Sequence, residues 1–367
     1  MIVKSIQLDF FRNYMHLDAQ FSPEVNVIYG ENAQGKTNLL EAVAYLSSAS
    51  SHRARYDREL IQFGVDRAFI KAEVFSRERD FTLEIELNRA ARRRICSNGV
   101  RMKTAGELSG VVHTVLFCPE DLYLIREGAV ARRRFLDSCI CQLRPRYAAA
   151  LAEYKKLYEH KTHILKDWEE NPSLLDTLDD FNLRMAQTGA ILIHYRAHFI
   201  RKLRETAPPI HRDFSGGREE LALSYETVKT IPDPLASPKE LLPCLLEHQE
   251  SHRRAELDSR QCLSGPHKDD LLVEINGASA KQYASQGQTR TAVLSLKLGC
   301  REIFRQDSGE YPILLLDDVL SELDAKRQEF VLRRITGGQV FITCCEEERL
   351  GGLEREKVFH IQNGRLL

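Results

Sequence analysis

The stretch VIYGENAQGKTNLLEA, residues 27 to 42, restricts the fold of this chain more than any other. Gly30, Gly35, Lys36 and Thr37 match G-x-x-x-x-G-K-[ST], a pattern in which a glycine turn lets backbone N–H groups surround phosphate oxygens. The apolar run before the turn predicts a buried strand, and the apolar residues after it predict a helix. The helix N-terminus adds a partial positive charge, so this stretch predicts a phosphate-binding loop. The alternative is a chance glycine turn before a helix.

Bulk composition excludes several classes of protein. The 367 residues are 43% hydrophobic and 29% charged, with 52 Lys plus Arg against 53 Asp plus Glu and a net charge of −1. Any contact with nucleic acid must therefore come from a local basic patch. No apolar run approaches the roughly 18 residues of a membrane span. The nine cysteines lack paired C-x-x-C spacing, which favours reduced thiols in a cytoplasmic protein.

A second part of the predicted nucleotide site lies far along the chain. Ile313 to Leu316 form a continuous apolar run, typical of a strand buried on both faces, and Asp317 and Asp318 follow it. This is the Walker B pattern, in which the first acid binds Mg²⁺ and the second orients or deprotonates a water. About 280 residues separate Lys36 from Asp317, more than a compact domain needs between two halves of one site. A large insertion is therefore predicted.

The predicted insertion is helical. Apolar residues from Tyr147 to Trp168 form one helical stripe, with Lys161 as a polar exception, and a second stripe runs from Leu174 to Phe199. We expect Pro208 and Pro209 to end the second helix. The two helices predict a helical hairpin. Elsewhere, strands are predicted at 68–75 and 81–87, and the second of these is expected to pair with a strand after the turn at 98–99.

A third candidate element is Ser285-Gln286-Gly287-Gln288, which opens the helix predicted from Thr289. A serine and a glycine at a helix N-terminus can bind an anion. One chain has little use for two such devices on one triphosphate, so two chains face to face would set Ser285 and Gly287 of one against the γ-phosphate held by the other. The alternative is an ordinary helix cap made by Ser285.

Together these motifs resemble the ABC-type ATPase head of the SMC-like branch, and most closely the RecF family of DNA recombination and repair proteins. The resemblance runs nearly end to end through FFRNY (10–14), GENAQGKTNLLEA (30–42), PEDL (119–122), RRRFLD (132–137), SGPHKDD (264–270), YASQGQTRT (283–291) and LLLDDVLSELD (314–324). It implies an α/β head, residues 1–130 and 262–367, with an inserted, mainly helical lobe at 131–261 that resembles a shortened SMC-type arm. It also implies a homodimer closed by ATP, DNA binding at gaps and single-strand junctions, weak DNA-stimulated ATP hydrolysis, and work with RecR and RecO toward RecA loading.

The resemblance assigns roles to particular residues. Asp317 would bind Mg²⁺ with Thr37, Asp318 would support hydrolysis, and Ser285, Gly287 and Gln288 would act on the partner's nucleotide. Two departures suit slow turnover: Thr343 stands where many heads have a histidine, and Asp318 where many have glutamate. The predicted contacts to phosphate and Mg²⁺ come from Gly30, Glu31, Asn32, Ala33, Gln34, Gly35, Lys36, Thr37 and Asn38.

DNA contacts are predicted from basic clusters. Six cations flank the turn at 98–99: Arg89, Arg92, Arg93, Arg94, Arg101 and Lys103. They could follow a phosphate backbone, or they could protect an edge strand from aggregation. Further candidates are His52, Arg53 and Arg55, and also Arg132 to Arg134, although Arg133 or Arg134 could equally form internal ion pairs. In GPHKDD (265–270), a polar turn is favoured over a metal site of His267, Asp269 and Asp270.

Two other functions compete with DNA repair. A subunit of an ABC-type membrane transporter would carry a compact head, which the long insertion argues against. A GTPase or a small-molecule kinase would leave the Ser285 motif unexplained, and no N-K-x-D sequence for guanine is present.

Overall fold

The computed structural model describes residues 1–108, 110–335, 337–345 and 357–367. The chain divides into two compact units, Met1–Leu122 with Val293–Leu367, and Tyr123–Ala292. From sequence, domain limits were predicted at 130/131 and 261/262. This division into compact units does not test those limits, which stay a prediction.

The helices and strands follow one another in three stretches. The first contains β1 (Ile2–Phe11), β2 (Tyr14–Gln20), β3 (Val25–Tyr29), α1 (Lys36–Ser48), β4 (Arg67–Ser76), β5 (Arg79–Asn88), β6 (Arg94–Ser97), β7 (Val100–Arg101) and β8 (Thr114–Phe117). The second contains α2 (Ala129–Leu143), α3 (Pro145–Asp167), α4 (Leu178–Ser215), β9 (Leu221–Glu226), α5 (Pro238–Ser259), β10 (Asp270–Ile275), β11 (Ala278–Ser279), α6 (Ala280–Tyr283) and α7 (Gln286–Ser308). The third contains β12 (Ile313–Leu316), α8 (Ala325–Arg334), β13 (Val340–Cys344), β14 (Lys357–Gln362) and β15 (Arg365–Leu366).

The first unit contains a largely parallel sheet of order β15-β14-β3-β13-β12-β8. Its central strands β3, β13 and β12 pair in parallel. All four residues of β12 are buried, as its continuous apolar run predicted. Because parallel strands end at the same edge of a sheet, the loop after β3 and the acids after β12 come together there.

The second sheet of this unit has the order β2-β1-β4-β5-β6-β7, and every pair in it is antiparallel. The predicted strands at 68–75 and 81–87 are confirmed as β4 and β5. The predicted partner of β5 was wrong: β5 pairs with β6, which precedes the 98–99 turn, and the turn joins β6 to β7. Asn98 and Gly99 both have positive φ, as a two-residue hairpin turn of this type requires.

Helix α1 belongs to one hydrophobic core with both sheets. Its residues Leu39, Leu40 and Val43 are fully buried, in a cluster with Leu8 of the antiparallel sheet and Phe341 of the parallel sheet. The nucleotide-loop helix is therefore held rigidly by apolar packing on several sides.

The second unit is mainly helical, and α3 packs against α4 as the two stripes predicted. The polar exception Lys161 is fully buried, where its ammonium group forms an ion pair with Glu256 of α5 at 2.6 Å. Glu256 also accepts hydrogen bonds from the backbone N–H groups of Leu263 and Ser264. A buried charge is tolerated only when it is paired in this way.

The predicted end of the second helix was wrong, because α4 continues through Pro208 and Pro209 to Ser215. Two prolines inside a helix remove two backbone hydrogen bonds, and each costs about 3 kcal/mol. The residues around them are buried, namely Ala207, Ile210 and His211. Burial of this face offsets the local cost, since tertiary packing supplies most helix stability in proteins.

Candidate nucleotide-binding site

The phosphate-binding loop lies between β3 and α1, where the sequence predicted it. Gly30 and Gly35 have φ values of 149° and 124°, which a residue with a side chain rarely adopts. A Cβ atom on Gly30 would lie 2.3 Å from the carbonyl oxygen of Ile361. The glycines are therefore required by the backbone and by its close approach to β14.

The FFRNY stretch supports the loop from outside. The Asn13 amide donates to the carbonyl of Gln34 at 2.8 Å, and the Tyr14 hydroxyl donates to the carbonyl of Gly35 at 2.8 Å. Asn38 in turn donates to the Asn13 side chain at 2.8 Å. Burial raises the pKa of Tyr14 well above its ordinary value, so its hydroxyl remains a donor. In the sequence, this stretch was recognised only as part of a family resemblance. Its contacts with the loop were not predicted.

The C-terminal hairpin of β14 and β15 also holds the loop. The Gln34 side chain accepts from the N–H of Asn363 at 2.6 Å, and its carbonyl accepts from the N–H of Gly364 at 3.0 Å. A Cβ atom on Gly364 would lie 2.4 Å from the carbonyl oxygen of Asn13. The side chain of Gln34 is thus engaged within the fold.

Lys36 lies buried inside the loop. Its ammonium group donates to the carbonyls of Gly30 at 2.6 Å and Glu31 at 2.9 Å. An ammonium group has three N–H donors, so one remains for an anion seated in the loop.

Thr37 and Asp317 meet although they are 280 positions apart, and their side-chain oxygens lie 2.9 Å from each other. The same Asp317 oxygen accepts from the Thr343 hydroxyl at 2.9 Å. Burial raises the pKa of Asp317, while the hydrogen bonds from Thr343 and Thr37 act in the opposite direction. Two oxygen ligands side by side are a suitable partial set for a hard divalent cation.

Thr343 connects the two acids. Its hydroxyl oxygen accepts from the backbone N–H of Asp318 at 2.8 Å while the hydroxyl donates to Asp317. Asp318 itself has a φ of 52°, an uncommon conformation for a residue with a side chain. Its carbonyl accepts from the Ser321 hydroxyl at 2.6 Å. Thr343, predicted only as a departure from the histidine pattern, therefore links β13 to the end of β12, which carries both acids.

A buried carboxylate, Glu41, organises the outer side of α1. Arg12 forms two hydrogen bonds with it, both 2.8 Å, and Ser51 donates to it at 2.5 Å. Burial alone would raise the pKa of Glu41, but the bonds from Arg12 and Ser51 bring it below its ordinary value. Arg53, predicted as a DNA candidate, donates to the Asn38 side chain at 3.1 Å and so lies beside the first turn of α1.

In the second unit, Ser285 and Gln288 form a reciprocal capping box at the start of α7. The Ser285 hydroxyl accepts from the N–H of Gln288 at 3.2 Å, and the Gln288 side chain accepts from the N–H of Ser285 at 2.9 Å. Gly287 lies between them in the first turn. The helix cap, which the sequence offered as the alternative, is therefore present, and the contact of these residues with a partner's nucleotide stays a prediction.

The basic clusters differ in availability. Arg93 donates to the Tyr45 hydroxyl at 3.0 Å and to Asp57 at 2.9 Å, and Arg89 donates to three backbone carbonyls. Arg89 and Arg93 therefore hold neighbouring loops, and contact of the hairpin cations with DNA stays a prediction. Five of the six are exposed, namely Arg89, Arg92, Arg94, Arg101 and Lys103, and Arg93 is half-buried.

The third basic candidate is part of the interior of the second unit. Arg132 forms two bonds of 2.7 Å with Asp270, and Arg133 donates to the carbonyl of Asp269 at 2.6 Å. Buried Asp269 also accepts from Arg196 at 2.8 Å and from Thr227 at 2.7 Å. Internal ion pairing was expected of Arg133 or Arg134, but the buried ion pair is made by Arg132, while Arg133 donates to a backbone carbonyl and Arg134 is exposed.

The polar stretch 265–270 is a turn before β10, as favoured from sequence. His267 contacts the Tyr154 hydroxyl at 2.8 Å and the Cys262 carbonyl at 3.0 Å. Burial lowers the pKa of His267 to about 4, so its ring is neutral near pH 7. Across the described ranges, no group of three or more His, Cys, Asp or Glu side chains could hold a metal ion.

The PEDL stretch, one of those that carry the family resemblance, lies in a short 3₁₀ helix that follows β8. Asp121 pairs with Lys297 at 2.7 Å and accepts from the N–H of Cys118 at 2.9 Å.

Among the residues that the structure covers, no helix has the length and apolar character needed to cross a membrane.

Comparisons with known proteins agree with this site. The family model of the RecF/RecN/SMC N-terminal domain matches residues 2–365. The DNA replication and repair protein RecF of Agathobacter rectalis is 40% identical over 100% of this chain and 99% of its own length. Its namesake from Clostridium perfringens strain SM101 is 39% identical over the same shares.

Solved structures give the same result. The structure of the recombination mediator protein RecF-ATPrS in the RecFOR pathway superposes with a TM-score of 0.92 at 33% identity, covering 100% of this chain and 97% of that one. The Smc head domain from Pyrococcus furiosus has a TM-score of 0.56 at 14% identity over 99% and 94% of the two chains, which indicates a shared fold. The fold is an ABC-type ATPase head with a helical insertion, and these relatives do not support the transporter alternative. The chain belongs to the RecF family of DNA replication and repair proteins.

Proposed function

We propose that this chain is an ATP-dependent DNA-binding protein of recombinational repair, which acts at gapped DNA and hydrolyses ATP slowly. The observation that carries the proposal is the meeting of Lys36, Thr37 and Asp317 at one edge of a parallel sheet. A loop that encloses an ammonium group beside a buried carboxylate is suited to a triphosphate with its cation. A solved structure of RecF-ATP in the RecFOR pathway is also 33% identical to this chain.

Mg²⁺ fits the residues present. Thr37 and Asp317 offer neighbouring oxygens. The hydroxyl of Thr343 orients the Asp317 carboxylate, because it donates to the same oxygen as Thr37 does. When bound, the cation would neutralise charge on the β- and γ-phosphates. Lys36 and the N–H groups at the start of α1 would hold the same oxygens, so the residues from Gly30 to Asn38 act as one cradle.

Asp318 is the proposed hydrolytic residue, since its position follows the Mg²⁺-binding carboxylate on the same strand end. Asp318→Asn keeps the size of the side chain but cannot accept a proton, so we expect hydrolysis to fall by about 100-fold or more. ATP-bound dimers should then accumulate, as measured by sedimentation with ATP. Asp307→Asn, in the C-terminal end of α7, is the control. A variant that turns over ATP at the original rate would remove Asp318 from this role.

ATP is proposed to join two copies of the chain. Ser285, Gly287 and Gln288 of one copy would contact the γ-phosphate held by the other, because a capped helix N-terminus attracts an anion. Such a nucleotide stabilises only the closed state. Sedimentation of the unmutated chain should therefore show a dimer with ATP and a monomer without it, and equal masses in both would contradict the sandwich.

The DNA contact is proposed at the hairpin of β6 and β7. An open cavity of about 380 Å³ there is lined by Arg92, Arg93 and Lys103 among others. Phe63 is 98% exposed on a nearby turn, which Arg89 holds through the carbonyls of Ile61 and Val65. Cations suit backbone phosphates, and an exposed aromatic ring suits an unpaired base at a junction.

Charge reversal tests this surface. We expect Arg92→Glu with Arg94→Glu to weaken binding to gapped DNA and to flatten its salt dependence, because fewer counterions are released. Fluorescence anisotropy across a salt titration measures both quantities, with ATP affinity as the internal control. Lys71→Glu, on an exposed position of β4, is the matched control. Unchanged affinity and slope would exclude the hairpin.

RecR, with RecO and RecA downstream, are the proposed partners, since the similar solved structure is described within the RecFOR pathway. The rate of ATP hydrolysis with gapped, duplex and single-stranded DNA tests the function as a whole. We expect the greatest stimulation by gapped DNA. A rate that no DNA changes would contradict the proposal.

A further inference from the structure

The carboxylate of Glu219 lies between the last turns of α4 and the first turn of α7. One of its oxygens accepts from the Gln288 side chain at 3.0 Å, and the other contacts the His211 ring nitrogen Nε2 at 3.1 Å. Gln288 is the residue that completes the capping box with Ser285. Glu219 therefore touches the Ser285 motif through a single side-chain amide.

Glu219 is held by the end of α4. Its backbone N–H donates to the Ser215 hydroxyl at 3.2 Å, and the N–H of Gly217 donates to the carbonyl of Arg212 at 2.8 Å. Arg218 donates from its side chain to the carbonyl of Ser215 at 2.8 Å. These bonds fix the short connection from α4 to β9, so the carboxylate of Glu219 starts from a rigid backbone.

His211 holds the same carboxylate from the interior. It is fully buried on α4, two residues after Pro209. Burial lowers the pKa of His211 below its ordinary value, although Glu219 acts in the opposite direction. A carboxylate can only accept, so the ring N–H donates to Glu219. The passage of α4 through its two prolines is what brings this histidine to Glu219.

The Gln288 amide is planar, so the two bonds that it makes are coupled. Its nitrogen donates to Glu219, which turns its oxygen toward the N–H of Ser285. The Ser285 hydroxyl oxygen accepts from the N–H of Gln288, which leaves the hydroxyl hydrogen free to point outward. The direction of that O–H donor thus depends on Glu219, in the connection after α4, and through it on His211 of α4.

We propose that Glu219 and His211 are positioning residues for Ser285, linking the long helix of the insertion to the serine that meets the partner's nucleotide. This inference rests on the proposed dimer. Removal of the acceptor at 219 frees the Gln288 amide to rotate, so the Ser285 motif loses its preset geometry. The nucleotide loop of the same copy lies on other elements and keeps its own support.

The test compares ATP binding with ATP-dependent dimerisation in full-length variants. For Glu219→Ala we expect ATP affinity, measured by calorimetry at low protein concentration, to change less than about twofold, and dimerisation to weaken about tenfold. Glu219→Gln keeps an acceptor for the Gln288 nitrogen and should dimerise nearly as the unmutated chain does. Glu220→Ala removes the same charge one residue away and should have no effect.

A double-mutant cycle separates this role from general stability. If Glu219 positions Ser285 through Gln288, Glu219→Ala should add little to the dimerisation defect of Gln288→Ala. Should Glu219→Ala fail to fold, Glu219→Gln is compared with Glu219→Met, because only glutamine keeps the acceptor. An unmutated chain that never dimerises refutes the proposed function itself. If the unmutated chain dimerises and the Glu219 variants dimerise equally well, only the positioning role of Glu219 is refuted.

Discussion

The N-termini of α1 and α7 use the same physics in different ways. At both helix starts the aligned backbone dipoles give a partial positive charge, and both were predicted to meet phosphate. The residue before α1 is Gly35, which offers no side chain to cap the helix. The start of α7 is capped by Ser285 and Gln288.

This difference has a physical consequence. The first N–H groups of α1 are left to a ligand, so the loop depends on supports outside itself, namely Asn13, Tyr14 and Gly364. The start of α7 satisfies its own backbone, and its outward donor is the Ser285 hydroxyl. A cradle that encloses phosphates and a donor that arrives from a second copy are therefore built differently.

The largest expected effect comes from the cradle. Lys36→Ala removes the ammonium group inside the loop, so we expect ATP affinity to fall by more than about 100-fold, as when one partner of a buried charged contact is lost. Calorimetric titration with ATP measures this change. Lys71→Ala, a change to an exposed lysine of the same unit, should bind ATP normally. Retained affinity in Lys36→Ala would mean that the loop does not hold the nucleotide.

A change at the start of α7 should affect dimerisation and not ATP affinity. Ser285→Arg places a bulky side chain on an exposed helix end, so we expect ATP affinity to be kept and dimerisation to be lost. Sedimentation with and without ATP measures the mass, and calorimetry measures affinity. Ser259→Arg, at the exposed end of α5, is the matched control. Dimers of Ser285→Arg with normal stability would place the serine outside the interface.

The smallest expected effect concerns the support of the cradle. Tyr14→Phe removes one hydrogen bond to Gly35, so we expect about 1 kcal/mol less stability and an ATP affinity lower by about three- to tenfold. Tyr45→Phe is a matched control, because its hydroxyl bonds to Asp57 and lies away from the loop. Equal loss of stability in both variants, with loss of affinity only in Tyr14→Phe, would establish support of the loop. Equal ATP affinity in the two would contradict it.

Several features followed from local sequence alone. The glycine spacing predicted the loop, the apolar run at 313–316 predicted β12, and Asn98–Gly99 predicted a two-residue turn. Each depends on backbone geometry or on periodicity within a few residues. The errors concern the partner of β5 and the end of α4, where the outcome depends on distant packing.

The availability of charged residues was also beyond local reasoning. Arg92 and Arg93 are neighbours of the same type, yet one is exposed and the other pairs with Asp57. Lys161 is tolerated within an apolar stripe because it forms an ion pair with Glu256 of another helix. No pattern near these residues contains their partners.

By itself, the sequence determined the strand, loop and helix that enclose a phosphate, and the two acids that end a buried strand. Only the tertiary structure decided that Thr343 would join those acids, that Asn13 and Tyr14 would support the loop, and that α4 would continue to His211. The physical reason is distance along the chain. Burial and hydrogen bonding between residues as far apart as Thr37 and Asp317 arise from packing, whereas a glycine turn or an apolar run arises from its own few residues.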